Sequence, residues 1–262
     1  MRCRPGARHG GGVLRVCADP DNMPFSNDKE EGFENKLAEL IAERLDRELV
    51  YTWFPEDTGY VPNTIGENAC AMVMGYAQGT GLIEDTNPYY YASYVLITRA
   101  DDTALNGVIS LSDPRLKSKR VGLVARTPPA SILAMNGLIA NAKPFDARSG
   151  ESQSTIAQDM IAEIISGELD AVSMGPIGGY YAALADVPLN VVPLVKERAG
   201  PATFYPITLG IRPNEPQFKH QVNKVLADNA DEIIAILEDY HVPVLDREGQ
   251  LLTAGGAAPA GQ

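Results

Sequence analysis

The chain has 262 residues, 45% apolar and 21% charged, enough for one large domain or two lobes of an ordinary folded protein. Its formal net charge of −12 argues against nucleic acid or an anionic membrane surface as partner, because phosphate binding calls for Lys and Arg. No apolar run approaches the roughly 20 residues that a membrane span needs. The opening MRCRPGARHGGG is basic and Gly-rich, without the apolar centre of an intact secretory signal, and residues 1–12 are expected to form a flexible leader.

VLRVCA then reads as a strand that stops at the Asp19-Pro20 turn, followed by the apolar-aromatic step Met23-Pro24-Phe25. Strand exits of this kind are where open α/β sheets place ligands. GFENKLAELIAERLDRELV puts Phe33, Leu37, Leu40, Ile41 and Leu45 on one helical face, and Glu34, Glu39 and Glu43 are expected on the solvated side. LVYTWF, CAMVMG and SYVLITR follow as strands, the second closing at Gly75.

A second series begins at KRVGLVART. Pro128 and Pro129 suit the first turn of the next helix. STIAQDMIAEIISG lines up Ile156, Met160, Ile161, Ile164 and Ile165 and ends at Gly167. LDAVSMG repeats the pattern of a buried strand plus glycine, closing at Gly175. LNVVPLV and YPITLGIR read as strands, and the segment from Glu215 to Val242 as one or two helices. The tail 251–262 is small, flexible in composition and expected to be disordered.

Two βα series imply mainly parallel sheets with helices on both faces, and two lobes whose cleft is the default ligand site. YYYASYVLITR and TFYPITLGIR are the natural crossovers. The expected lobes are 13–97 plus 207–250, discontinuous, and 98–206.

LRVCADPDNMPFS with GFENKLAELIAERL, NPYYYASYVLITR, VGLVARTPPA, GELDAVSMGP and FYPITLGIRPNEPQFKHQVNKVLAD resemble, in that order, the periplasmic solute-binding proteins of the amino-acid type. The resemblance runs from about Val13 to about Asp246 and implies a type II periplasmic binding protein, α/β, with two lobes and an interlobe cleft. Within that superfamily CADPDNMPFSN, GFENK, YTWFP, GPIGGYYA and FYPITLGIRP resemble one branch, the accessory proteins of PQQ-dependent methanol dehydrogenase systems, the MxaJ/XoxJ type. That branch implies a periplasmic, non-catalytic protein that acts on the dehydrogenase in its maturation or activation. The implied partners are the methanol dehydrogenase, of calcium or lanthanide type, and its cytochrome c, with this chain a monomer.

The superfamily holds an amino acid's carboxylate with an Arg nine residues before the Pro of its PYY segment, which is Gly79 here. It holds the ammonium with a carboxylate five residues after the Asp of its DA pair, which is Gly175 here. Both charges are absent, and an unpaired charge in a closed cleft costs several kcal/mol. The anion turn, normally Gly-Thr, reads Arg126-Thr127, and a further acidic position is Ala71. The resemblance therefore implies a cleft lined by Asp19, Asn22, Phe25, Trp53, Gly75, Tyr76, Tyr89, Arg126, Thr127, Gly175 and Pro176, suited to an apolar or peptide-like guest. Two alternatives stay open in the residues themselves: the aromatics, Tyr89 to Tyr91 included, as ligand wall or as packing, and Asp19 as binding group or turn cap.

If the VLRVCA and CAMVMG strands are neighbours, as in this fold, Cys17 and Cys70 meet, either as a disulfide or as two buried thiols. No cofactor or metal site is read. His9, His220 and His241 lack metal spacing, and no nucleophile elbow, dinucleotide loop or P-loop occurs. Beside the accessory role stands a second reading, a solute receptor of an ABC importer for a ligand that is not an amino acid.

Overall fold

Val, Ile and aromatic runs bounded by turn residues become strands, and the segments of 3.6 period become helices, in a computed structural model that describes residues 12–56, 59–79, 81, 83–146 and 153–255. In chain order come β1 (Val13–Ala18), β2 (Asp21–Asn22), β3 (Ser26–Asn27), α1 (Phe33–Arg44), β4 (Glu48–Trp53), α2 (Tyr60–Asn63), β5 (Met72–Ala77) and β6 (Glu84–Asp85). Then follow β7 (Tyr90–Ser93), β8 (Val95–Arg99), β9 (Val121–Val124), α3 (Pro128–Met135), β10 (Ala142–Phe145), α4 (Gln153–Ser166), β11 (Ala171–Met174), α5 (Gly178–Ala183) and β12 (Leu189–Pro193). The chain continues through β13 (Phe204–Ile211), α6 (Pro216–Asp228) and α7 (Ala230–Asp239).

The chain divides into two compact units, one holding the residues up to Tyr89 together with Ile207–Ile233, the other Tyr90–Pro206 together with the residues from Ile234. The sequence places these divisions at 97/98 and 250. The strand pairing gives the reason for the difference: β8 lies between β11 and β12, antiparallel to both, so Val95–Arg99 belongs to the second unit's sheet. Leu245, bridged to Tyr91 and to Leu251, draws the post-α7 segment to the same unit.

The first unit is built on a sheet in the order β4-β1-β5-β13-β6. β1 runs parallel to β4 in register from Val13↔Glu48 to Ala18↔Trp53, and parallel to β5 on its other side. β13 returns antiparallel to β5. Phe33, Leu37, Ala38, Leu40, Ile41 and Ala42 of α1 are buried. A core cluster joins Cys17, Tyr60, Val61, Ile65, Cys70, Val73 and Ile83.

The second unit has a sheet in the order β10-β9-β11-β8-β12, its first three strands parallel. α4 buries Ile156, Ala157, Met160, Ile161 and Ile164, while Ile165 stays at its exposed edge. Tyr90 is buried on β7, and Tyr91 stacks on Phe204 with ring centroids 5.2 Å apart, so these two tyrosines act in packing. The leader lies outside the described residues apart from Gly12. Of the tail, Leu251–Gly255 are described and partly hydrogen-bonded: Leu252 N donates to Val244 O, and Ala254 N to Glu238 Oε2.

Cys17 on β1 and Cys70, just before β5, form a disulfide with Cα atoms 5.6 Å apart. It closes a loop across a sequence separation of 53, which in the chain-entropy picture stabilises the fold by about 4 kcal/mol. The paired substitution Cys17→Ser/Cys70→Ser should lower the melting temperature by about 10 °C, read by circular dichroism. A change within about 2 °C would show that the bond adds little to the strand pairing around it.

Candidate functional site

The parallel strands β4, β1 and β5 end on one edge of the first unit's sheet, and their exits bring acidic residues together. β1 ends opposite Trp53, and the next residue, Asp19, turns the chain. Its Oδ1 accepts from Asp21 N at 2.8 Å, and its Oδ2 accepts from Glu56 N, beyond β4, at 2.6 Å. Ser26 Oγ donates to Asp19 O. Asp19 therefore caps its own turn and ties it to the exit of β4. Asn22, 5% exposed, donates from Nδ2 to Glu56 Oε2 at 3.0 Å. Glu56 is thus an exposed residue whose carboxylate is turned in to a buried amide.

The hairpin of β2 and β3 then receives α1. Phe33 N and Glu34 N donate to Pro24 O and Phe25 O, and Asn35 Oδ1 accepts from Asn27 N and Gly32 N. These bonds satisfy amides that a helix N-terminus leaves open. Gly32 fits because a Cβ there would lie 2.1 Å from Phe25 O. The docking turns Glu34 inward, to 8% exposure. On the far side stands Gly75 of β5, with φ +57, where a Cβ would fall 1.9 Å from Glu34 Oε1.

Glu34 corrects the solvated-face expectation. The spacing held the signal, since Glu34, Leu37, Ala38 and Ile41 share one stripe of the helix. Burial, then the charges of Glu56 and Asp19, hold the Glu34 carboxyl well above its ordinary range. Burial, then Asp19, pushes Glu56 up to about 7, against the opposing hydrogen bond from Asn22. The phenol of Tyr60 is raised by burial and then by Glu56, Glu34 and Asp19. No ion pair to a Lys or Arg reaches any of the three carboxylates among the described residues. Sequence reasoning missed Glu34, Glu56 and Tyr60; for Glu56, in a turn without periodicity, there was no local signal.

The structure thus gathers Asp19, Asn22 and Gly75 of the predicted residues. Phe25 packs at 5.2 Å on Phe33. Trp53 stacks on Tyr51 at 4.5 Å. Tyr76 packs against the disulfide core, and Tyr89 N donates to Ile207 O. Gly79 presents no side chain, and its N–H donates to Asp85 Oδ2. In the second unit Arg126 is exposed at φ +63 and pairs with Asp146 at 2.5 Å. Thr127 precedes α3 and donates from Oγ1 to Val124 O at 2.6 Å. Gly175 and Pro176 follow β11, and Gly175 O accepts from Gly178 N. Among the described residues no group of three His, Cys, Asp or Glu is placed to hold a metal ion, and no helix is long and apolar enough to cross a membrane.

No family model matches the chain. Among solved structures it is similar to the periplasmic binding protein XoxJ from Methylobacterium extorquens AM1, at 34% identity and TM-score 0.76, over 90% of this chain and 100% of that one. It is similar to MxaJ from Methlophaga aminisulfidivorans MPT at 25% identity and TM-score 0.78, over 89% of this chain and 100% of that one. Protein MoxJ of Methylorubrum extorquens is 28% identical over 91% of this chain and 84% of its own length. The fold is therefore that of a type II periplasmic binding protein. Within that class the chain belongs to the XoxJ/MxaJ family, which includes MoxJ.

The Glu34 carboxyl, held well above its ordinary range when folded, binds more protons folded than unfolded in the window that opens at that ordinary range, near 4.5. Its contribution to stability therefore falls as pH rises across that window. Glu34→Gln should change the melting temperature little at pH 5 and raise it by about 3 °C or more at pH 7.5. Melting curves across that range check this; a parallel offset at every pH would contradict the buried-acid account.

Proposed function

We propose that this protein is a non-catalytic periplasmic accessory protein that binds a PQQ-dependent methanol dehydrogenase and assists its maturation or activation. The observation that carries the reading is membership of the XoxJ/MxaJ family across nine-tenths of the chain. The clamp positions support it. Gly79 and Gly175 offer no charged side chain to an amino acid's two ends, and Arg126 is paired with Asp146. A free zwitterion would leave its charges unmatched. The Cys17–Cys70 disulfide suits an oxidising compartment such as the periplasm. The implied assembly is with the dehydrogenase and its cytochrome c, and no cofactor is assigned to this chain.

The purified full chain, immobilised and exposed to the periplasmic extract of its own source, should retain a PQQ-dependent dehydrogenase whose specific activity changes when more of the chain is added. Retention of no dehydrogenase, together with a small molecule from that extract raising the melting temperature, would sink the accessory role. The chain would then be a receptor of an importer for a ligand other than an amino acid.

A further inference from the structure

The sheet of the second unit has two edges, and they differ. β10, at one edge, carries Lys143 and Pro144, residues of the kind that keep an edge strand from pairing with another chain. β12, at the other, reads Leu-Asn-Val-Val before it reaches Pro193, with no charged residue. Its pairing with β8 fixes which backbone groups that edge offers. Ala100 N donates to Pro188 O and Leu194 N to Tyr94 O, at the two ends of an antiparallel register that sets Asn190 opposite Thr98 and Val192 opposite Leu96. Hydrogen-bonded and open pairs alternate along such a ladder, so Asn190 and Val192 bond to β8. The N–H and C=O groups of Leu189 and Val191 point the other way, where no strand pairs with β12 among the described residues.

A groove of about 430 Å³ runs beside that edge. Leu189, Val191 and Pro193, which share one face of the strand, line it together with Gly179, Ala182 and Ala183 of α5. Its far wall is formed by 242–244 and 251–253. α5 lies close against that wall, since a Cβ on Gly179 would fall 2.0 Å from His241 O. The titratable groups of the lining are Glu238 and His241, with no Lys or Arg, and exposed Asp186 stands between α5 and β12.

We propose that the free edge of β12 and this groove form a docking site for an extended segment of a partner polypeptide, apolar at every second residue and basic at its ends. Two donors and two acceptors at a strand's repeat call for another strand, because a helix uses its own backbone groups internally. The small side chains of α5 leave room for the alternate side chains of that strand. Glu238, Asp186 and the net charge of −12 favour Lys or Arg at the flanks and oppose acidic ones. A second copy of this chain fits less well, since both copies carry −12 and Pro193 has no N–H to return. The site does not require the dehydrogenase as partner, so it can stand or fall separately from the accessory role.

Fluorescence anisotropy of the full chain with the labelled peptide acetyl-Lys-Val-Thr-Val-Thr-Val-Lys-amide tests it. A copy with its internal amides N-methylated, and one with Glu in place of both Lys, serve as controls. Val191→Pro removes an N–H that the ladder to β8 does not use, so the variant should fold, and near-ultraviolet circular dichroism verifies this. Ala183→Lys obstructs the groove from α5 without touching the strand. Binding of the lysine peptide, with affinity about tenfold or more weaker for the methylated copy and in each variant, supports the site. Weaker binding of the glutamate peptide supports the charge assignment. The proposal is overturned if the lysine peptide does not bind, whether the edge is closed or residues 256–262 of the chain itself fill the groove. It is overturned if the methylated copy or the glutamate peptide binds equally well, or if both variants keep full affinity. It is also overturned if Met135→Lys, at an exposed position on α3 outside the groove, weakens binding as much as Ala183→Lys. Light scattering that finds a dimer of the chain, abolished by Val191→Pro, would assign the edge to a second copy and overturn the partner site.

Discussion

The pairing of β1 between β4 and β5 is the constraint from which the first unit follows. All three strands run the same way, so the residues that leave their C-terminal ends must meet on one edge. The Cys17–Cys70 bond ties β1 to the entrance of β5 across a long stretch of chain. With that pairing in place, Asp19 after β1, Glu56 after β4 and Gly75 within β5 become neighbours. The hairpin that follows β1 then offers its carbonyls to the first amides of α1 and so sets which side of the helix enters.

That edge carries an electrostatic cost. Like charges in a poorly solvated place raise one another's proton affinity, and burial raises it further. Glu34 stands at a helix N-terminus, where the dipole favours a negative charge, yet burial outweighs that preference. The fold accepts the arrangement because the apolar cluster around the disulfide and the buried stripe of α1 stabilise the same elements.

Family membership and local chemistry address different questions. The XoxJ/MxaJ likeness covers almost the whole chain and accounts for the order of its elements. At the positions where the resemblance implies an amino-acid receptor's ligand groups, this chain has glycines, 79 and 175, and an Arg at 126 engaged with Asp146. Fold alone never assigns a ligand, so the departures carry as much weight as the likeness.

The sequence by itself determined the strands and helices, because side-chain period reports burial along one element: Phe33, Leu37 and Ile41 on α1, Ile156, Met160 and Ile164 on α4. It also shows glycine at positions 79 and 175, where the resemblance implies charged clamps, since an absent side chain is visible without coordinates. It drew the first lobe on to residue 97, so that Val95–Ile97 were parted from the sheet they join, because which sheet a strand joins depends on partners distant in sequence. It read Glu34 as solvated because charge is a good guide to exposure only when no other element approaches. Tertiary structure alone decided that Gly75 of β5 and the turn of Asp19 would close over that carboxylate, and that Glu56, in a turn with no periodic signal, would complete the cluster.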